Sequence, residues 1–202
     1  MPSIYSLKPR FQQLLRPMVR SLAAAGITAN QVTVFACLLS IALGTWLCLP
    51  QTSPRQFLLL PAFLFLRMAL NAVDGMLARE FHQKSKLGAY LNELTDVISD
   101  SFLYLPFTLL AGFDPRWVVA VIVLAVISEM AGILGVTVGA SRRYDGPMGK
   151  SDRAFWFGVI ALWLGVQGTV PAVIAQWFPI VLTALIALTI ANRVRNGLKE
   201  AR

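Results

Sequence analysis

The stretch Asn71 to Asp100, NAVDGMLAREFHQKSKLGAYLNELTDVISD, decides how the whole chain is read. It joins the end of one long apolar run to the start of another, with a short basic loop from Arg79 to Lys86 between them. Asn71 and Asp74 are three residues apart, and Asn92, Asp96 and Asp100 follow one another at intervals of four. Helical geometry lines each set along one face of its own helix. A loop this short makes the two helices antiparallel neighbours, with both polar faces near the loop end. An ionisable side chain inside an apolar span is costly, so these acids mark a functional site.

Outward from this stretch, the chain reads as an integral membrane protein. Of its 202 residues 56% are hydrophobic and 14% charged, and the mean hydropathy is +0.64. A soluble domain carries about 25% charged residues. Residues 1–26 alternate apolar and basic positions: Leu7, Phe11, Leu14, Leu15, Met18 and Leu22 recur at helical spacing, with Lys8, Arg10, Arg16 and Arg20 between them. This predicts an interfacial amphipathic helix on an anionic leaflet. The first apolar run starts near Val32, so no cleavable signal peptide is expected.

Gly26 ends the first helix, and Thr28 with Gln31 has capping-box spacing, so a second helix should start near Asn30. Six spans are expected, over about 30–49, 57–79, 88–112, 117–140, 154–169 and 171–191. The fold class is therefore all-α, a six-helix transmembrane bundle forming one membrane domain over 27–202 behind the N-terminal helix. Gly135 and Gly139 have GxxxG spacing in the fourth span, which suggests close helix packing and a homodimer. Cys37 and Cys48 show neither metal nor disulfide spacing, and His82 belongs to a solvated loop. Arg67 and Glu129 lie inside spans two and four and should pair, because buried charges need partners.

The basic residues divide cleanly between the two sides of this topology. Fifteen Lys and Arg residues fall in the N-terminal segment, the 79–86 and 141–153 loops and the C-terminal tail. Only Arg55 and Arg116 fall in the loops opposite. The positive-inside rule then places both termini in the cytoplasm, and only an even number of spans gives this pattern. The net charge of +8 accordingly points to membrane lipids and not to nucleic acid.

The chemistry of the central stretch is that of hard oxygen ligands, which suit Mg²⁺ or Mn²⁺ better than zinc. Gly75 and Ala78 leave room for a ligand near the backbone, and Arg79 and Lys86 supply positive charge. A divalent ion with a basic rim suggests a phosphate or diphosphate substrate. A buried polar network or an ion pathway uses the same residue types. An ion-coupled transporter, however, wants its acids near the midplane and usually internal repeats. Here the acids lie near one end of their spans, and no clear repeat is present.

The pattern resembles the signature of the CDP-alcohol phosphatidyltransferase family: Asp, two residues, Asp-Gly, two residues, Ala-Arg, eight residues, Gly, three residues, Asp, three residues, Asp. Asp74, Gly75, Ala78, Arg79, Gly88 and Asp96 match it in identity, and every spacing is kept. Asn71 and Asn92 stand where the family has its first and third aspartates. The resemblance implies that Asn71, Asp74, Asn92 and Asp96 hold divalent metal, and that Asp96 is also the general base on the acceptor hydroxyl. Two of the family's four acidic charges are missing, and Asp100, or Glu93 beside Asn92, is a candidate replacement.

The same resemblance places nucleotide and CDP-lipid contacts on Asn30, Thr33, Gly75, Ala78, Arg79 and Ser85, although Asn30 could serve helix capping alone. In the 141–153 loop, Lys150 and Arg153 are candidates to hold a phosphate of the acceptor or of the CDP-lipid. The implied activity is transfer of a phosphatidyl group from CDP-diacylglycerol to an alcohol, with release of CMP, in a bacterial inner membrane. A transferase using a soluble CDP-alcohol with a lipid acceptor, and a catalytically weak relative, fit the same residues.

Overall fold

The computed structural model describes residues 4–201, with side chains described from residue 11 onward. The side chains of Leu7, Lys8 and Arg10 therefore lie outside the described set, as does Arg202. The described chain is helical throughout, with no strands: α1 (Ile4–Ala24), α2 (Ala29–Leu47), α3 (Leu59–Glu80), α4 (Lys86–Tyr104), α5 (Pro115–Thr137), α6 (Lys150–Gln167) and α7 (Ala172–Glu200). Short 3₁₀ turns at Pro54–Leu58 and Leu105–Leu109 precede α3 and follow α4. Among the described residues, four helical segments are long and apolar enough to cross a membrane: Ala29–Leu47, Pro54–Glu80, Pro115–Thr137 and Ala172–Glu200. α4 and α6 carry the ionisable residues that keep them out of that set.

Local chemistry explains where the helices begin and end. The Thr28–Gln31 capping box forms in both directions: the Thr28 N–H donates to Gln31 Oε1 at 2.8 Å, and the Gln31 N–H donates to Thr28 Oγ1 at 3.3 Å. α4 stops at Tyr104, short of the expected Gly112, because Pro106 cannot continue the i→i−4 ladder. α6 starts at Lys150, earlier than the expected 154. Asp152 accepts the Gly149 N–H at 2.9 Å and so satisfies a donor at the helix entrance. Lys150 and Arg153 thus belong to the first turn of α6 and not to the preceding loop. α7 continues to Glu200, past the expected stop near 191.

The chain forms two compact units, with the divisions falling inside α2, α3 and α4. The first takes in the chain up to Leu39 together with Phe63–Asp96. Its core is built from Val19 of α1, Ala29 and Val32 of α2, and Val73, Met76 and Leu77 of α3. Leu15, Leu22, Leu70, Ala78 and Phe81 pack against that core. Leu15 and Leu22 of the α1 stripe are thereby spent on protein, whereas Leu14 and Met18 stay exposed. The exposed Arg16–Glu80 bridge at 3.0 Å adds at most about 1 kcal/mol. The loop between α3 and α4 is tied down by Gln83, whose Oε1 accepts the Ala29 N–H at 2.7 Å.

The second unit comprises Ser40–Ala62 and the chain from Val97 onward. An aromatic cluster fills it, with Tyr104 stacked on Phe157 at 3.9 Å and Phe107 edge-on to Phe57, Phe113 and Phe157. The expected GxxxG packing takes a different form here. Gly139 lies beyond the end of α5 at φ +88°, where it turns the chain. A Cβ on Gly135 would come within 3.0 Å of the Ser141 carbonyl oxygen, so this glycine admits the chain folding back from α5. Gly135 thus serves packing within the chain, and Gly139 the turn that follows α5.

Candidate functional site

The first unit collects most of the residues singled out above. Arg67 closes the α3–α4 pair, donating from Nη2 to the Asp96 carbonyl oxygen at 3.0 Å and to Asp96 Oδ1 at 3.3 Å. Arg67 is buried, whereas the Asp96 side chain keeps 19% of its surface exposed. Asp74 is buried too, and the Thr33 hydroxyl reaches both its Oδ2 at 2.8 Å and the Ala29 carbonyl oxygen at 3.0 Å. Asn71 and Asn92 are half-buried.

Beside these residues the starts of α2 and α4 meet. A Cβ on Gly88 would lie 2.8 Å from Asn30 Oδ1 and 3.0 Å from Ser85 Oγ, so only glycine lets the two side chains come this close. Ser85 Oγ accepts the Gly88 N–H at 2.9 Å and caps α4. A Cβ on Gly75 would stand 3.0 Å from an Arg79 guanidinium nitrogen, so the exposed Arg79 folds back over that glycine. Ala78 faces the apolar core instead. Asn30 with Ser85, Thr33 with Asp74, and Gly75 with Arg79 are the groupings that the fold creates.

The donor set tests whether a metal is accommodated. Among the described residues, no three His, Cys, Asp or Glu side chains gather closely enough to hold an ion. Two carboxylates and two amide oxygens still make a hard-oxygen set for a cation of the Mg²⁺ or Mn²⁺ type. With Arg67 on one oxygen of Asp96, that chemistry fits one divalent ion. A second would depend mainly on anionic oxygens from a substrate.

Arg67 and Glu129 do not pair as expected. Arg67 is engaged with Asp96, and Glu129 belongs to the second unit, where Arg153 (2.9 Å), Arg193 (3.4 Å) and Arg142 (3.9 Å) surround its carboxylate. The reason is local: Arg67 stands four and seven residues before Asn71 and Asp74 on α3, so it shares their face. Arg153 also departs from its expected role as a phosphate ligand. Its side chain has 0% exposure, and its guanidinium is committed to Glu129, to Asp100 at 3.5 Å, to Ser128 Oγ and to the Met148 carbonyl oxygen. Asp100 is correspondingly buried against a guanidinium, on α4 one turn beyond Asp96.

The segment between α5 and α6 is clamped by its own ion pairs. Arg143 bridges Asp145, at 2.8 and 2.9 Å, and Glu200. Asn196 donates to Asp145 Oδ1 at 3.0 Å. The Arg143 hydrogen bond holds the Asp145 carboxyl below its ordinary range, with the Asn196 bond acting the same way. On the other connection, Arg116 lowers the Asp114 carboxyl in the same manner.

Residues 26–191 match the family model of the CDP-alcohol phosphatidyltransferases. The chain is 44% identical to the inner membrane protein YnbA of Escherichia coli K12 over 202 residues, spanning 97% of this chain and 96% of that one. It is 30% identical over 118 residues to the archaetidylinositol phosphate synthase of Pyrococcus horikoshii, across 58% of this chain and 59% of the relative. In fold, it is similar to the crystal structure of the Mycobacterium tuberculosis phosphatidylinositol phosphate synthase with CDP-DAG bound. The TM-score is 0.71 at 20% identity, covering 92% of this chain and 94% of the other. The same enzyme in complex with manganese and citrate gives a TM-score of 0.67 at 21% identity, over 90% and 88% of the two chains.

Proposed function

Since the chain belongs to the CDP-alcohol phosphatidyltransferase family, we propose that it transfers the phosphatidyl group of CDP-diacylglycerol to an alcohol hydroxyl and releases CMP. The observation that carries this reading is the pair of acids kept on adjoining helices, Asp74 and Asp96, each engaged by a polar partner within one compact unit. Relatives named as archaetidylinositol phosphate synthases, and a structural neighbour with CDP-DAG bound, support the substrate class. The protein works in a membrane, with six spans, an interfacial α1 and both termini cytoplasmic; the four strongly apolar helices and the inner-membrane relative support that setting.

In this reading Asp96 takes the proton of the attacking hydroxyl. The acceptor oxygen forms a bond to the lipid-side phosphorus, and the bond from that phosphorus to the bridging oxygen breaks, its electron pair leaving with CMP. Arg67 fixes one oxygen of Asp96 and the backbone beneath it, so the carboxylate is held in one orientation for proton transfer. Thr33 does the same for Asp74. Asn71, Asp74, Asn92 and Asp96 would hold one Mg²⁺ or Mn²⁺. When bound, the ion supplies charge neutralisation for the diphosphate and the departing CMP. Asn30, Ser85, Gly75 and Arg79 form the nucleotide side: two short polar groups, an open patch of backbone and a guanidinium for the diphosphate.

The test is CMP release by purified protein from CDP-diacylglycerol, with Mg²⁺ or Mn²⁺ and a panel of alcohols, beside Asp96→Asn. Metal-dependent release that the variant loses is the expected result. Release that is indifferent to Asp96 would overturn the assignment of the base, and absence of release with every alcohol would overturn the reaction.

A further inference from the structure

The site of the first unit carries a positive charge of its own. Arg67 stands on α3 four residues before Asn71 and seven before Asp74, so it shares their face. Its side chain is buried, and its Nη2 lies 3.3 Å from Asp96 Oδ1 and 3.0 Å from the Asp96 carbonyl oxygen. A guanidinium stays protonated at every pH at which a protein works, buried or not. The two carboxylates of the site thus have unlike partners. The neutral Thr33 hydroxyl reaches Asp74 at 2.8 Å, and a fixed cation reaches Asp96.

Charge decides what such a cation does to a metal. Asn71 and Asn92 present half-buried amides, which bring oxygen without charge. Asp74 and Asp96 bring two negative charges, and Arg67 takes one back. Asp100, the candidate to restore the balance, is committed to Arg153 at 3.5 Å. Glu93 beside Asn92 and Arg79 folded over Gly75 are opposite in sign. One divalent ion already reverses the charge of this set. A second would stand beside the guanidinium without a further acid to offset it. We infer that Arg67 is a built-in cation that holds the place of a second divalent ion: it supplies positive charge at Asp96 permanently and keeps the seat to a single metal ion. This rests on the reading of Asn71, Asp74, Asn92 and Asp96 as that seat, but the count of ions is measured without turnover. A guanidinium does not dissociate, so part of the cationic charge survives when metal is scarce.

Bound Mn²⁺ is counted by electron paramagnetic resonance on purified full-length protein in detergent micelles, where free and bound ion are told apart. Wild type is compared with Arg67→Met, with Asn71→Asp and Asn92→Asp together, and with all three changes at once. Wild type should bind one Mn²⁺ per chain. Arg67→Met removes a like charge beside the ion and should tighten its binding by at least about tenfold. The two added acids should also tighten it, yet leave the count at one while Arg67 is present. The triple variant, with four carboxylates and no guanidinium, should take up two. Two ions in wild type, or two beside an intact Arg67 once the acids are added, would overturn the inference, since the guanidinium would then exclude nothing. A single ion in the triple variant, or unchanged affinity in Arg67→Met, would overturn it equally. No bound Mn²⁺ in wild type would remove the seat and the inference with it.

Melting curves show which variants fold. If Arg67→Met does not, Arg67→Gln takes its place in both backgrounds, because it keeps a donor for the Asp96 carbonyl oxygen and loses the charge. Arg67→Lys keeps the charge and loses the planar fork. With both acids added, its count should stay at one, and a count of two would show that shape and not charge sets the limit. CMP release is read separately. Failure of release with every alcohol sinks the transferase reading and leaves the Mn²⁺ count to decide on Arg67. A count that goes against Arg67 leaves the reaction standing.

Discussion

The two polar clusters of this molecule are built on opposite plans. Around Glu129, three arginines and two carboxylates from five segments meet, all but Arg142 buried, and Arg153 alone touches two carboxylates. Around Asp74 and Asp96, Asp74 and Arg67 are buried, but Asp96 is part-exposed, two of the polar groups are the half-buried amides Asn71 and Asn92, and Arg67 meets Asp96. Buried charges must be paired, because an unpaired one costs several kcal/mol. A catalytic acid must instead keep some of its capacity for substrate. The contrast separates a cluster that holds the chain together from one that is available for chemistry, although both read as acids and arginines within apolar helices.

That separation breaks most clearly at Asp96. Asp96→Asn should lower turnover by about 10²- to 10⁴-fold, the usual contribution of a general base, while the melting temperature falls less than in the Arg153 variant below, because the amide oxygen and the backbone carbonyl at 96 still accept from Arg67. Equal losses of activity and stability would show instead that Asp96 belongs with the structural acids. Arg153→Ala tests the other cluster and should do the reverse. Removing one partner from a buried network costs about 3–5 kcal/mol, visible as a large drop in melting temperature. A variant that melts like wild type would mean that the pairing around Glu129 carries no structural weight. Between these two lies Asn92→Asp. Restoring a negative charge to the donor set should lower the Mg²⁺ concentration needed for half-maximal activity, by about tenfold if one added carboxylate gains about 1.4 kcal/mol. No change in metal requirement would place Asn92 outside the ion's reach.

How far the sequence foretells this arrangement depends on whether a feature is local. The α3–α4 pair, the faces that carry Asn71, Asp74, Asn92 and Asp96, and the Thr28–Gln31 cap all follow from spacing along one or two helices, and they stand where the spacing puts them. The partners of Arg67 and Glu129 depend on how distant helices pack, which periodicity does not encode. Facing inward is legible, but which opposite charge waits there is not. Arg67 did carry a usable signal, its place on the same face of α3 as Asn71 and Asp74. The α7 extension was hidden for a related reason. Its last turns are polar enough to read as a tail, yet Arg193 and Gly197 are buried there. Asp152 and Gly149 mark the true start of α6, but a glycine N-cap is a weaker signal than serine or threonine.

The smallest effect concerns the clamp between α5 and α6, where the sign can be worked out in advance. Asp145 is hydrogen-bonded by Arg143 and Asn196, and its carboxyl is held below the ordinary value of about 3.9. The folded protein therefore binds this proton less tightly than the unfolded chain. The stability that the carboxylate contributes is complete above the unfolded pKa and is lost as pH falls through the lower folded value. Asp145→Asn should thus lower the melting temperature by a nearly constant amount above about pH 5, and the gap to wild type should close below about pH 4. The half-buried pair is partly screened, so the plateau should correspond to no more than about 1 kcal/mol. A gap that persists unchanged into acid would mean that Asp145 acts through its shape and hydrogen bonds. In that case the segment is held by neutral contacts, and the Arg143 bridge to Glu200 becomes the pair to test next.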